Sequence, residues 1–169
     1  MLLVGGASTR FGSPKALAQF GGETLGERAW RLLGEVCDER VAVGKRADAL
    51  DLPFELLDDG TAVRAPIAGV IAGLRAATHE IAVVIPVDMP MLTAAALREL
   101  AAACRDVAVA QSGPLPGAYK RTALPALELA LAEERLALRE AIAELDVAIV
   151  DLDARLLVNV NTADDVQHL

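Results

Sequence analysis

The segment Gly5-Gly6-Ala7-Ser8-Thr9-Arg10-Phe11-Gly12-Ser13-Pro14-Lys15 holds three glycines, several hydroxyls and two cations, with no acid among them. Glycine lets backbone N–H groups approach a ligand without a Cβ in the way. A concave row of such N–H groups binds phosphate oxygens. Ser8 and Thr9 add donors, and Arg10 and Lys15 add positive charge. Lys15 stands three residues beyond Gly12, so the loop is not a Walker A motif, which needs lysine directly after its last glycine. Nor do its glycines follow the dinucleotide spacing G-x-G-x-x-G. Its chemistry points to a polyphosphate, with an ordinary glycine-rich turn as the alternative.

Two further groups invite chemistry. Asp88, in Pro86-Val87-Asp88-Met89-Pro90, follows the apolar run Ile81-Ala82-Val83-Val84-Ile85. A carboxylate at the carboxyl end of a buried strand can ligate a cation above a phosphate site; Mg²⁺ takes one or two protein carboxylates and completes its shell with water and substrate phosphates. The alternative is a turn before the helix that Thr93 opens. The only two asparagines of the chain, Asn159 and Asn161, sit in Val158-Asn159-Val160-Asn161-Thr162. In an extended segment they point to one face, where paired carboxamides can orient phosphates, a heterocycle edge or metal-bound water. Capping of a last helix by Asn161-Thr162 would explain only one of them.

These residues need a scaffold. Apolar runs predict strands at 2–4, 41–43, 54–57, 81–85, 107–110 and 147–150. Several are apolar at consecutive positions, as in strands buried on both faces of a parallel sheet. Helical patterns predict helices at 25–36, 69–77, 94–103, 123–132 and 138–144, with Thr93 capping the third and Thr162 with Asp165 forming a short capping box for a last one. Such alternation reads as a doubly wound α/β sheet. In that architecture ligands bind outside the carboxyl ends of the strands, where the strand order reverses. No repeat or linker divides residues 1–169, which are read as one domain.

Composition narrows the function classes. The 169 residues are 54% hydrophobic and only 3% aromatic, so the core is built from Ala, Val, Leu and Ile. No apolar run reaches the 18 or so residues of a membrane span, and no charged start precedes a long apolar stretch as in a secreted precursor. Cys37 and Cys104 are too few for a disulfide framework and read as reduced residues of a cytoplasmic protein. A net charge of −8 argues against nucleic-acid and anionic-membrane partners. The balance is uneven, however: residues 1–46 hold seven Lys and Arg against five acids, and residues 47–169 hold nine against nineteen. A basic start on an acidic chain suits a small anion bound at one place. His79 and His168 are isolated, no zinc spacing or serine nucleophile elbow is present, and Glu133-Glu134 read as solvated surface.

The run Leu3-Val4-Gly5-Gly6-Ala7-Ser8-Thr9-Arg10-Phe11-Gly12-Ser13-Pro14-Lys15 resembles the signature L-A-G-G-x-S-x-R-x-G-x-x-K of the molybdenum cofactor guanylyltransferases. Further similarities follow in the family's order: Asp58 with Ala65-Pro66-Ile67-Ala68-Gly69 resembles D…G-P-L-A-G, Pro86 to Pro90 resembles P-C-D-M-P, and Asn159 to Thr162 resembles N-V-N-T. The resemblance spans residues 2 to about 166, and Gly5-Gly6 with the asparagine pair favours the guanylyl branch over other nucleotidyltransferases. It implies a Rossmann-like three-layer αβα sandwich with a mostly parallel sheet, of the nucleotide-diphospho-sugar transferase type.

The implied reaction moves GMP from GTP to the terminal phosphate of molybdopterin cofactor, giving the guanine dinucleotide form and pyrophosphate. Leu3, Val4, Gly5 and Gly6 would then hug the nucleotide, Arg10 and Lys15 would grip the triphosphate, and Asp88 would ligate Mg²⁺. Asp58 would contact the nucleoside, with Asp59 the competing choice; a fixed carboxylate can accept from guanine N1–H and N2–H together, whereas adenine presents no such donor pair. Asp-Asp-Gly is also a turn sequence. Asn159 and Asn161 would face the acceptor or metal-bound water. Residues 114–119 resemble the acceptor-side segment, with Lys120 and Arg121 able to meet its phosphate or simply to be surface charges. Passing contacts with proteins that deliver or receive the cofactor would follow. Three positions depart from the pattern: Val4 stands for Ala, Pro14 for Asp, and Gly44 where Asn is frequent. They keep a CTP-using relative in view. A non-catalytic nucleotide binder is the third possibility, which intact Lys15 and Asp88 oppose.

Overall fold

Leu2 and Leu3 set the pattern of the molecule: adjacent in sequence, both buried, they face opposite layers. The computed structural model describes residues 1–5, 14–162 and 165. Seven strands form one sheet in the order β5-β4-β1-β6-β8-β7-β9. They are β1 (Leu2–Leu3), β4 (Ala42–Gly44), β5 (Leu56–Asp58), β6 (Ile81–Pro86), β7 (Val107–Ala110), β8 (Gly113–Lys120) and β9 (Val147–Val150). A small antiparallel hairpin, β2 (Gln19–Phe20) and β3 (Glu23–Thr24), lies apart from the sheet. The helices are α1 (Leu25–Gly34), α2 (Pro66–Ala76), α3 (Ala94–Ala103), α4 (Leu124–Ala132) and α5 (Leu138–Ala141).

Two apolar layers result. Leu25 and Leu33 of α1 and Leu97 and Leu100 of α3 pack with Leu2, Val83 and Ile85 on one face. Ile67, Val70 and Leu74 of α2 and Leu127 of α4 pack with Leu3, Val43, Val84 and Tyr119 on the other. This is the three-layer αβα sandwich expected. Strand pairs β1–β4, β1–β6, β4–β5 and β7–β9 are parallel. The expected capping by Thr93 is present, its Oγ1 accepting from Ala96 N at 3.3 Å. A full capping box opens α1: Glu27 N donates to Thr24 Oγ1 at 3.1 Å, and Thr24 N donates to Glu27 Oε2 at 2.8 Å.

The main departure from expectation is β8, which runs antiparallel to both β6 and β7. The sequence pattern predicts no strand there, and its Pro114, Pro116 and two glycines mask it, because proline cannot donate to a ladder and glycine weakens a strand. The ladder with β6 uses only residues 117–120, downstream of both prolines. Gly117 is required by crowding: a Cβ there would lie 2.9 Å from the carbonyl oxygens of Ala108 and Pro114. Expected helix 138–144 ends at Ala141, and helix 69–77 begins three residues earlier, at Pro66. Proline suits that first-turn position, where its missing N–H has no partner to lose.

Candidate active site

The chain leaves β1 outward to β4 and β5, then crosses back to β6 on the other side of β1. The strand order therefore reverses at β1, and a cavity of about 270 Å³ opens at the carboxyl ends of the strands there. Leu3, Val4 and Gly5 line it from β1, Gly44 and Lys45 from β4, and Pro86, Val87 and Asp88 from β6. The amino end of α2 contributes Pro66 and Gly69, so the positive end of that helix dipole borders the cavity. Leu115 of β8 completes the wall, and the peptide bond that follows it is cis.

One end of the cavity holds a charged cluster assembled from three distant parts of the chain. Lys15 Nζ lies 2.9 Å from Asp88 Oδ2 and 2.9 Å from Asn161 Oδ1. Asp88 and Lys15 side chains are about one-fifth exposed, at 22% and 20%, so the cluster is open to a ligand without being fully solvated. Main-chain bonds fix the loop that carries Asp88. Val87 N donates to Leu3 O at 3.1 Å, and Val160 N donates to Asp88 O at 2.8 Å. Arg28 Nε of α1 donates to Pro90 O at 2.7 Å, while its guanidinium sits 5.2 Å above the Phe20 ring and pairs with Glu23.

Asn161 is held in turn by Asp165, whose Oδ2 accepts from Asn161 N at 2.7 Å and from Thr162 N at 2.8 Å. Those two N–H groups keep the Asp165 carboxyl below its ordinary range. Asp165 N donates back to Thr162 Oγ1 at 3.2 Å, the short capping box expected. Asn159 is exposed, as is Asn161, with Val160 fully buried between them. The side chain of Asn159 bonds to none of the described residues. Gly6 and Arg10 of the glycine-rich loop, with Ser8, Thr9 and Gly12, lie outside the described residues.

The opposite end of the cavity carries a pair that the sequence reading passed over or ranked second. Lys45 Nζ lies 2.6 Å from Asp59 Oδ1 and also donates to the carbonyl oxygen of Thr61. Asp59 lines the cavity; Asp58, the residue expected to contact the nucleoside, does not. The Asp58 carboxylate instead accepts from Arg46 N at 2.7 Å and Gly60 N at 2.8 Å, and these bonds hold its carboxyl below the usual value. Asp58 is thus committed to the turn after β5. A cation placed directly after a buried strand was the one sequence signal for Lys45. Lys120 lies opposite Ile81, at the amino end of β6, and pairs with Glu80 at 3.6 Å. It and Arg121, whose N donates to Glu80 O at 2.9 Å, are at the far end of the sheet from the cavity.

Asp88 and Asn161 present a carboxylate and a carboxamide oxygen to one ammonium ion, an arrangement of hard oxygen donors already holding a cation. No set of three or more His, Cys, Asp or Glu side chains gathers among the described residues to cage a metal alone. A single carboxylate fits Mg²⁺, which shares its shell with water and phosphate, and does not fit a metal that needs a closed protein cage.

Comparison with known proteins places this architecture. A family model described as MobA-like NTP transferase domain matches residues 1–149. The chain is 32% identical to the molybdenum cofactor guanylyltransferase of Pseudomonas putida, covering 99% of this chain and 94% of that one. It is similar in three dimensions to molybdopterin-guanine dinucleotide biosynthesis protein A from Archaeoglobus fulgidus, with a TM-score of 0.79, 24% identity and coverage of 99% and 94%. It is similar also to 2-C-methyl-D-erythritol 4-phosphate cytidylyltransferase from Thermus thermophilus, with a TM-score of 0.71, 19% identity and coverage of 99% and 94%. The two structural likenesses give the fold, that of the nucleotide-diphospho-sugar transferases.

Proposed function

The chain belongs to the MobA-like NTP transferase family, and on that premise we infer that it transfers GMP from GTP to the terminal phosphate of molybdopterin cofactor, releasing pyrophosphate. The observation that carries this reading is the meeting of Lys15, Asp88 and Asn161 beside Gly5, where the strand order reverses. A lysine that closes a glycine-rich segment suits a triphosphate, and the likeness to the Pseudomonas putida molybdenum cofactor guanylyltransferase over nearly the whole length of both chains supports the guanylyl reading.

In the reaction an oxygen of the pterin phosphate attacks the α-phosphorus of GTP, and the bond from that phosphorus to the pyrophosphate oxygen breaks. A phosphate monoester is ionised near pH 7, so no general base is required. Catalysis then consists of positioning and charge neutralisation. Lys15 exchanges its carboxylate partner for phosphate oxygens and steadies the leaving pyrophosphate together with Arg10. The main chain of Gly5 and Gly6 lets the nucleotide approach the sheet, with Leu3 and Val4 as its apolar floor. Asn161, set by Asp165, orients the acceptor side, and Asn159 extends that polar edge. Held by Asp88, Mg²⁺ would supply positive charge to the phosphates. The free thiols of Cys37 and Cys104 fit a cytoplasmic location, and no helix among the described residues is long and apolar enough to cross a membrane.

Thermal unfolding with GTP, CTP, ATP and UTP, each with Mg²⁺, tests the reading. A ligand at 100 times its dissociation constant stabilises by about 2.7 kcal/mol, and GTP is expected to give the largest shift. A larger shift with CTP would overturn the guanylyl assignment. A response that does not depend on Mg²⁺ would remove the cation from it.

A further inference from the structure

The ion pair of Lys45 and Asp59 is the most deeply buried among the described residues, with 11% and 7% of the two side chains exposed. Burying an ion pair gains little stability, because desolvation offsets the attraction. The pair nevertheless lines the cavity, directly after β4 and β5. Counting strands from Asp88 gives its distance. β4 is two strands from β6, roughly 10 Å at the usual strand spacing, comparable to the reach from the phosphates of a nucleotide to the far edge of its base. The phosphate end is fixed by Lys15 and Asp88, so the base extends toward Lys45.

We propose that Lys45 is a specificity-determining residue that reads the 6-oxo edge of a purine base, with Asp59 as the residue that aims it. This rests on the guanylyl reading above and deepens it. An ammonium has three donors and no acceptor. Asp59 Oδ1 and the Thr61 carbonyl take two of them, which leaves one for a ligand. Guanine offers adjacent acceptors, O6 and N7, on one edge; adenine places an amino group where O6 would be, and a donor there opposes the ammonium. Asp59 Oδ1 is also bonded by Thr61 N at 3.1 Å, so the carboxylate that aims Lys45 is itself fixed to the backbone. Lys45 follows Gly44, the position where the related enzymes often have Asn, and Asp59 adjoins the aspartate that the spacing favoured.

The experiment combines one analogue with one variant. Affinity is measured for GTP and for 6-thioguanosine triphosphate, which keeps N1–H and the 2-amino group but puts a weakly accepting sulfur in place of the 6-oxo oxygen, on the unmodified protein and on Lys45→Met. The unmodified protein is expected to favour GTP by about tenfold or more, the worth of one charge-assisted hydrogen bond. In Lys45→Met that ratio should fall toward one, while affinity for inorganic pyrophosphate stays unchanged. If Lys45→Met fails to fold because Asp59 is stranded, Lys45→Met with Asp59→Leu removes both charges. Equal affinity for the two nucleotides on the unmodified protein, or a GTP preference that survives in either variant, overturns the proposal. A preference of the unmodified protein for CTP over GTP instead overturns the guanylyl reading itself, and so the two failures are distinct.

Discussion

Val4 and Gly44 are shaped to each other: a Cβ added to residue 44 would lie 2.9 Å from Val4 Cγ2. These are two of the three positions at which the sequence departs from the guanylyltransferase pattern. The larger side chain at 4 occupies the room that the missing side chain at 44 leaves, so the departures compensate one another in the cavity wall.

Gly44→Ala should therefore cost about 1–3 kcal/mol, because valine is stiff at χ1 and cannot turn aside. Val4→Ala alone should leave a small void, and the double variant should recover part of the loss. Urea unfolding of the four proteins gives the coupling, expected at 0.5 kcal/mol or more. Strict additivity would show that the two residues do not share space.

Asp88→Asn should leave the fold intact while pyrophosphate release from GTP falls by about 10²–10³, the usual loss when one group that stabilises developing charge is removed. The carboxylate is partly solvated and its pair with Lys15 is worth no more than about 1 kcal/mol, so the melting temperature should barely move. Turnover at the unmodified rate would take Asp88 out of the reaction.

How much of this was legible in the residues differs from element to element. β6 and β7 announce themselves through unbroken apolar runs, since a strand covered on both faces has no solvent side to mark with polar residues. β8 hides, because its first half is rich in proline and glycine and its ladder with β6 begins only at Gly117, downstream of both prolines. Lys15 could be singled out as a cation of the glycine-rich loop, Asp88 as a carboxylate after an apolar run and Asn161 as one of the chain's two asparagines, but their contact depends on how segments far apart in the chain return to β1. Asp58 and Asp59 show the limit of spacing arguments. One residue of register decides which carboxylate bonds the turn and which faces the cavity, and only the backbone donors of Arg46 and Gly60 settle it.

Tyr119, the single tyrosine of the chain, gives an alkaline signature of β8. It is fully buried, its hydroxyl donates to Pro114 O at 2.6 Å, and burial pushes its phenol well above the ordinary value. A raised pKa means that its contribution is fully present below the unfolded value near 10 and is lost as pH rises past it, because the unfolded chain releases the proton first. Tyr119→Phe should cost about 1 kcal/mol at pH 8, where the Pro114 carbonyl loses its donor. At pH 11 the difference between the two proteins should shift by roughly 1.4 kcal/mol in favour of Tyr119→Phe, one unit of proton linkage, so that the gap closes and slightly reverses. An equal gap at both pH values would mean that the phenol ionises in the folded protein, which phenolate absorbance would report directly.

Arg28 touches no part of the cavity yet holds the loop that does. Its Nε donates to Pro90 O, two residues past Asp88, and its guanidinium is kept in place by the Phe20 ring and Glu23. Arg28→Ala removes two hydrogen bonds, one of them the ion pair with Glu23, and one cation–π contact, together about 1–3 kcal/mol of stability. The more telling effect is kinetic. A loop free to shift by a fraction of an ångström still admits GTP, so KM should change little, while kcat falls by about tenfold or more because Asp88 no longer sits where it would hold Mg²⁺ beside the phosphates. Arg28→Lys keeps the charge over Phe20 but lacks the planar fork that serves Pro90 and Glu23 together, and should fall between the two. A rise in KM with kcat unchanged would assign Arg28 to nucleotide binding, and parallel loss of stability and activity in all variants would reduce it to a strut of α1.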